Sequence, residues 1–262
     1  MEYVLSVSGK IYLFANETNE KHMETKKPLA HHHISVDCVV VGFDGSQLRV
    51  LLVRRAGEES GKKFHDMKLP GSLIYMDEDL DEAAKRVLNE LTGLKSVNLV
   101  QFKAFGSKGR TADPKDVHWL EQSEQTKVDR IITIAYLSLI KISRALNCNL
   151  ENYEAEWVSV EDIKALAFDH NRIIADAFAF IQQYVEANPA CLFDLLPRKF
   201  TVLQLRVLYE LIYGKRIDVR NFHKKISMMD YVVPLEEFET GVSHRAARYY
   251  TFSRKIYNKL RK

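Results

Sequence analysis

Two clusters of side chains in this chain are of types that do chemistry. The first is acidic with an arginine set into it: Asp77, Glu78 and Asp79, then Glu82, Arg86 and Glu90 at intervals of four. Carboxylates so arranged can enter the oxygen shell of a magnesium ion, which takes one or two of them alongside waters and substrate phosphates. The same spacing also makes an ion-pair ladder on a helix surface, worth about 0.2–0.5 kcal/mol per pair. Ala83, Val87 and Leu91 lie four apart on a neighbouring face, and all are apolar. That is the stripe of a helix packed on a core. Glu78 and Glu90 could still touch a ligand. The reading is of no catalytic residue, no metal site and no cofactor.

The second cluster is basic and lies near the end of the chain. Arg220, Asn221, Lys224 and Lys225 fall close together, and His244, Arg245 and Arg248 follow. Lysine and arginine neutralise phosphates and release counterions, which gives affinity for nucleic acid without regard to sequence. The arginine fork also matches guanine in a major groove, and asparagine can pair with adenine. All seven are therefore candidate DNA contacts, with the bases and phosphates unassigned among them.

The elements that must position these groups follow from periodicity and punctuation. Tyr3 to Phe14 alternates well enough for two short strands around Ser8-Gly9-Lys10, and Asn16 to Lys27 reads as a polar, flexible link. Ile34 to Phe43 and Leu48 to Val53 are strands joined at Asp44-Gly45, with Arg54 and Arg55 at the end of the second. Pro70-Gly71 makes a turn, and a helix runs from about Leu80 to Leu91, stopping at Gly93. Strands follow at Asn98 to Phe105 and Arg130 to Ile142. Between them, residues 106 to 129 lack apolar periodicity and read as a surface loop that Trp119 tucks down. Glu156-Trp157-Val158 is a strand, Glu161 opens a helix, and a longer helix runs from about Asn171 to Ala187 before Asn188-Pro189 ends it.

The last quarter reads as a separate module. Thr201 and Gln204 form a capping box on a helix whose Leu205, Leu208 and Ile212 make the buried stripe and Gly214 the stop. Asp218 caps a second helix, with Val219, Phe222, Ile226 and Met229 inward and the basic side chains outward, Lys225 at the flank. A short strand at 231–233, an acidic loop and a returning strand ending at Tyr250 and Phe252 complete a winged helix-turn-helix. The domain limits are 1–30 for an N-terminal extension, 31–188 for an α/β domain and 189–262 for the DNA-binding module.

Composition narrows the classes further. No run approaches the length of about 18 apolar residues that a membrane span needs, and the start lacks the pattern of a secretory signal. Cys38, Cys148 and Cys191 have no metal-ligand spacing and fit reduced thiols in a cytoplasm. Net charge is only +3, but from Leu195 to Lys262 there are 15 Lys and Arg against 6 Asp and Glu, and the rest carries 23 against 29. A basic quarter on an acidic body is the charge layout of a nucleic-acid-binding module joined to something else.

The stretch LPGSLIYMDEDLDEAAKRVLNELTGL (69–94) resembles the Nudix box, with Glu78, Arg86, Glu90 and Gly93-Leu94 in register. Ser72 stands where the family has glycine, and Val87 and Leu91 where it has metal-binding glutamates. With FDHNRIIADA (168–177), the LLPRKFTVLQLRVLYELIYGKRIDVRNFHKKI segment (195–226) and RAARYYTF (245–252), the chain from Ile34 on resembles the Nudix-related transcriptional regulators of the NrtR/AraR type. The resemblance implies an α/β fold, a Nudix-like α/β/α sandwich with a C-terminal winged helix-turn-helix domain. It implies a homodimeric regulator of double-stranded operator DNA, whose catalytically degenerate domain senses a small-molecule effector, either a pentose of sugar metabolism or an ADP-ribose-like nucleotide. By the same fold, Arg54, Glu78, Arg86, Glu90 and Phe105 would contact the effector. A magnesium-dependent hydrolase of nucleoside diphosphate derivatives with a basic accessory domain is the competing expectation.

Overall fold

The structure is a computed structural model that describes residues 4–7, 10–13, 30–59, 61–124, 127–128, 130–142, 153–243 and 245–260. Strands β1 (Val4–Val7) and β2 (Lys10–Leu13) pair antiparallel, as the alternation of the N-terminal segment predicts. The link expected over 16–27, Cys148 and His244 lie outside the described residues.

The central sheet contains β3 (Ala30–Phe43), β4 (Leu48–Glu59), β5 (Lys62–Lys68), β6 (Gly71–Tyr75), β7 (Val100–Phe105), β8 (Ile132–Lys141) and β9 (Ala155–Ser159). β3 runs parallel to β8, and the remaining pairs are antiparallel. The period of two along β3 divides its side chains between two cores. Val36, Cys38 and Val40 face Ala83, Ala84, Val87 and Leu88 of helix α1 (Leu80–Thr92). Val39, Val41 and Phe43 face Ile173, Ala177 and Ile181 of α3 (His170–Ala187), the helix that follows α2 (Pro114–Glu124). The domain is the expected sandwich.

Three local expectations need correction. Residues 106–129 hold a helix, α2, and not only a loop. Its start is encoded locally: the Asp113 carboxylate accepts the Lys115 amide at 2.9 Å, and Pro114 occupies the first turn where its missing N–H costs nothing. The second strand continues past Val53 to Glu59 and turns back into β5, so Arg54 and Arg55 lie within it rather than at its end. The charges at 54–63 hid that pattern. The segment opening at Glu161 makes a single 3-10 turn, Val160–Asp162.

After α3, a 3-10 segment (Pro189–Leu195) buries Leu192 and Leu195 completely. Then come β10 (Phe200–Thr201), α4 (Val202–Tyr213), α5 (Val219–Ser227), β11 (Val232–Phe238), β12 (Arg248–Phe252) and α6 (Arg254–Leu260). β10, β12 and β11 form one antiparallel sheet in that order. The winged helix is present, with β11 taking in the residues expected to form an acidic loop, and with a closing helix α6 that the sequence reading lacked. Its core does not stand apart. Leu205, Leu208, Ile212 and Phe222 belong to the same buried cluster as α3 and the sheet. No helix among the described residues is long and apolar enough to cross a membrane.

Candidate functional site

The acidic box is closed on itself. Asp79 caps α1, its side chain accepting the Glu82 amide at 2.8 Å while Glu82 accepts the Asp79 amide at 3.0 Å. Glu82 is thus a capping residue and takes no part in the ion-pair ladder. Arg86 instead reaches back to Glu78, with Nε at 2.8 Å and Nη2 at 2.5 Å from its two oxygens, forward to Glu90 at 3.0 Å, and across to the Leu73 carbonyl at 3.1 Å. Glu78 also accepts the Tyr75 amide at 2.7 Å. Partial burial would raise the Glu78 pKa, but Arg86 and that amide outweigh it and hold the carboxyl below its usual range. Val87 is fully buried, and Leu91 packs on the same core.

A magnesium ion of the kind the Nudix box holds does not fit these residues. Two of its positions present carbon, and both oxygens of Glu78 are taken up by Arg86 and the Tyr75 amide. Glu90, half-exposed and bound to Arg86 through one oxygen, is the single family carboxylate with an oxygen to spare.

The cleft lies beside the box. Its walls are Ser35 and Asp37 of β3, Lys68 of β5, Gly71 and Ser72 of β6, Arg110 and Trp119 from the segment leading into and through α2, and Phe168 and His170 at the start of α3. Specific interactions hold the ionisable walls in place. The His170 ring sits with Nδ1 accepting the Leu69 amide at 3.0 Å, across 101 residues of sequence. That fixes the proton on Nε2, which faces Asp37 at 3.4 Å. Arg110 is buried, paired with Asp169 at 3.0 Å and directed at Asp37 from 3.5 Å. Complete burial works to raise the Asp37 pKa, but His170 and Arg110 overcome it and keep the group ionised.

Behind the cleft, Arg55 anchors α2 to the sheet. It donates to Asp66 at 2.7 and 2.6 Å and to Asp116 of α2 at 2.6 Å. Phe64, Trp119 and Phe168 surround its guanidinium at 5.1–5.4 Å. Trp119 Nε1 donates to the Ala56 carbonyl at 2.9 Å, so the tryptophan does tuck the segment down.

The structure does not bring the expected effector contacts together. Glu78, Arg86 and Glu90 form the closed box. Arg54 pairs with Glu156 at the exposed edge of β9, and Phe105 is buried in the core against Phe102. None of the five lines the cleft. His170 lies in the FDHNRIIADA segment that carries the family resemblance, but the sequence alone assigns it no role. Asp37 and Arg110 gave no local signal, since a lone aspartate within a strand and an arginine within a polar insertion acquire meaning only through their partners.

On the winged helix, the capping box predicted for α4 is formed, with Thr201 and Gln204 exchanging bonds at 3.2 and 2.9 Å. Gly214 takes the left-handed conformation that ends the helix. Asp218 caps α5. Arg220, Asn221 and Lys224 stand exposed on α5, and Arg245 on the loop before β12. Two other candidates are occupied. Lys225 lies 4.2 Å over the Tyr209 ring, where burial lowers its pKa, and it ties α5 to α4. Arg248 donates to the Leu235 carbonyl at 2.6 Å and to Glu236, stapling the wing. Val219, expected inside, is 52% exposed because α5 begins only there and its first turn clears the core. Arg216, 97% exposed just before α5 and 3.9 Å from Glu210 of α4, is a further basic side chain of the module that helix periodicity could not flag.

Residues 31–177 match the NUDIX domain family, and residues 192–252 match the NrtR DNA-binding winged helix domain. The chain is 27% identical over 230 residues to the ADPR responsive transcriptional repressor NtrR of Acinetobacter baylyi, covering 86% of this chain and 84% of that protein. It is also 27% identical over 176 residues to the ADP-ribose pyrophosphatase of Methanocaldococcus jannaschii, covering 65% of this chain and 92% of that one. Among solved structures, Shewanella oneidensis NrtR complexed with a 27mer DNA superposes with a TM-score of 0.64 at 23% identity, over 84% of this chain and 93% of that one. A MutT/nudix family protein from Enterococcus faecalis gives 0.55 at 24%, over 88% and 90%.

Proposed function

Because this chain belongs to the NUDIX domain family and runs on into an NrtR DNA-binding winged helix domain, we propose that it is a transcriptional repressor. In this reading it holds double-stranded operator DNA as a homodimer and releases it when the cleft takes ADP-ribose or a close relative. The name of the Acinetobacter relative favours ADP-ribose over a pentose as effector. The closed box argues against hydrolysis, although one relative is named a pyrophosphatase. Purified protein should therefore show no magnesium-dependent release of nucleotide or phosphate from ADP-ribose.

One observation carries the coupling. Helix α3 begins at His170 in the wall of the cleft and ends against the winged helix, where Gln182 Nε2 donates to the Ile212 carbonyl at 2.9 Å. Its 18 residues make a rod about 27 Å long, buried on both the sheet and α4 by Ile173, Ile181 and Val185. A close-packed interior passes displacement on rather than absorbing it. An effector that moves His170 or Asp169 therefore moves α4, and with it α5. For a homodimer, a change in the spacing of two α5 helices is enough to lose a palindromic operator, whose half-sites match the DNA repeat. The effector must bind the two geometries with unequal affinity, otherwise nothing shifts.

The first test is fluorescence anisotropy of the full chain on its own upstream DNA and on a scrambled duplex, over a salt series. Tight, sequence-dependent binding that weakens steeply with salt is expected. Equal, feeble binding to both duplexes would contradict the proposal.

A further inference from the structure

The floor of the cleft is small and charged in an unusual way. Its free volume is about 40 Å³, space for roughly three water-sized groups. Asp37 is 5% exposed and its carboxylate rests directly on Gly71, where an added Cβ would lie 1.9 Å from Oδ1. The carboxylate cannot swing toward β6, so it stays turned to the cavity. Yet its two donor neighbours, His170 Nε2 and the Arg110 guanidinium, remain at 3.4 and 3.5 Å, beyond the 2.7–3.2 Å of a good N–H···O bond. Thr133 Oγ1 leans on it closely enough to depress its pKa, but completes no hydrogen bond of ordinary geometry. A buried, ionised carboxylate with acceptor capacity to spare is costly unless donors reach it.

The cations at the floor are already engaged. Arg110 is committed to Asp169 and to the Ile131 carbonyl, and Lys68 Nζ donates to the carbonyls of Leu69 and Gly71 at 3.2 and 2.7 Å. A diphosphate would therefore meet a fixed negative charge with no uncommitted positive one beside it among the described residues. An adenine is too large for the space. What fits is a pair of adjacent hydroxyls, which donate to a carboxylate and can also pair with the Ser35 and Ser72 hydroxyls, under the ring of Trp119.

We propose that Asp37 is the specificity-determining residue of the cleft, accepting the vicinal hydroxyls of a sugar ring, so that the floor reads a ribose while any diphosphate or base stays outside it. This rests on the cleft being the effector site. The shared chemistry is a vicinal diol, which a free pentose or the terminal ribose of ADP-ribose could supply.

Titration calorimetry of the full chain with ADP-ribose, 2′,3′-dideoxy-ADP and free ribose separates the outcomes, since ADP itself carries a vicinal diol on its adenosine ribose and its dideoxy form carries none. The wild-type protein should bind ADP-ribose at least about 10-fold more tightly than 2′,3′-dideoxy-ADP, since a site built to accept hydroxyls rejects the analogue lacking them. Asp37→Asn should erase that ratio while leaving 2′,3′-dideoxy-ADP affinity within about 2-fold, because no diol of that ligand touches it. Equal wild-type affinity for ADP-ribose and 2′,3′-dideoxy-ADP would overturn the role of Asp37 and leave a nucleotide effector standing. Binding of free ribose but not ADP-ribose would support the diol reading and overturn the nucleotide effector. The wild-type ratio needs no variant, so a misfolded Asp37→Asn protein would not spare the proposal.

Discussion

Arg86 on α1 and Arg110 at the cleft each sit between two carboxylates, and the two sites behave differently. Arg86 satisfies both of its partners at 2.5–3.0 Å on a helix face that is partly open to solvent. Beyond one half-exposed oxygen of Glu90 little is left over. Arg110 satisfies Asp169 but stands off from Asp37, in a place water barely reaches. The same ingredients give a finished interaction at the surface and an unfinished one in the interior. An unfinished buried charge is what a ligand can complete, which is why the proposed effector is assigned to the cleft, although the box carries the family motif.

The sharpest way to break this contrast is to remove a charge behind the cleft. Asp116→Ala would leave Arg55, whose side chain is fully buried and whose Nη1 already lacks a partner, with Asp66 alone. An unmade bond of a buried group costs about 1–3 kcal/mol, to be read from the denaturation midpoint in urea. Next comes Gly71→Ala, which drives a methyl into the Asp37 carboxylate. Overpacking of this kind costs about 1–3 kcal/mol, and ADP-ribose binding should fall with it while binding to operator DNA persists.

Smaller effects sharpen the comparison. Asp37, Asp66 and Glu78 are all held below their ordinary pKa, each by cationic partners that outweigh burial. Their stabilisation is complete above the unfolded carboxylate range near pH 4 and is lost as pH falls through the lowered folded values. A melting-temperature series from pH 7 to pH 3 should therefore fall on the acid side, and Asp37→Asn should flatten that fall. Lys224→Ala should leave stability unchanged and reduce the salt dependence of DNA binding by about one phosphate contact. Glu90→Gln, which removes only the half-exposed member of the closed box, should cost about 0.2–0.5 kcal/mol and change neither ligand nor DNA binding. A larger change there would show that the box takes part in function.

The sequence made the helix ends, the sheet alternation and the winged helix readable because each is set by neighbours a few residues apart. Thr201 with Gln204, Gly93 and Asp218 announce themselves in this way. The exposure of Arg220, Asn221, Lys224 and Arg245 was readable too, whereas Lys225 and Arg248 find their partners Tyr209 and Glu236 on other elements. The cleft was not readable. Asp37, Arg110 and His170 come from three distant segments, and a polar insertion concealed α2 because that helix is held by Arg55 from across the fold. Arg54 and Phe105 lie away from the cleft for the converse reason, since a fold analogy located the strands without fixing which way those side chains are turned.

The central claim is that the cleft and α5 share one equilibrium through α3. Its most direct test is to titrate ADP-ribose into the complex of full-length protein with its upstream DNA, following anisotropy at fixed salt. The account predicts release of the DNA by ADP-ribose, and by linkage an equal weakening of ADP-ribose binding when DNA is present. An unchanged DNA affinity at saturating, calorimetrically verified ADP-ribose would contradict it.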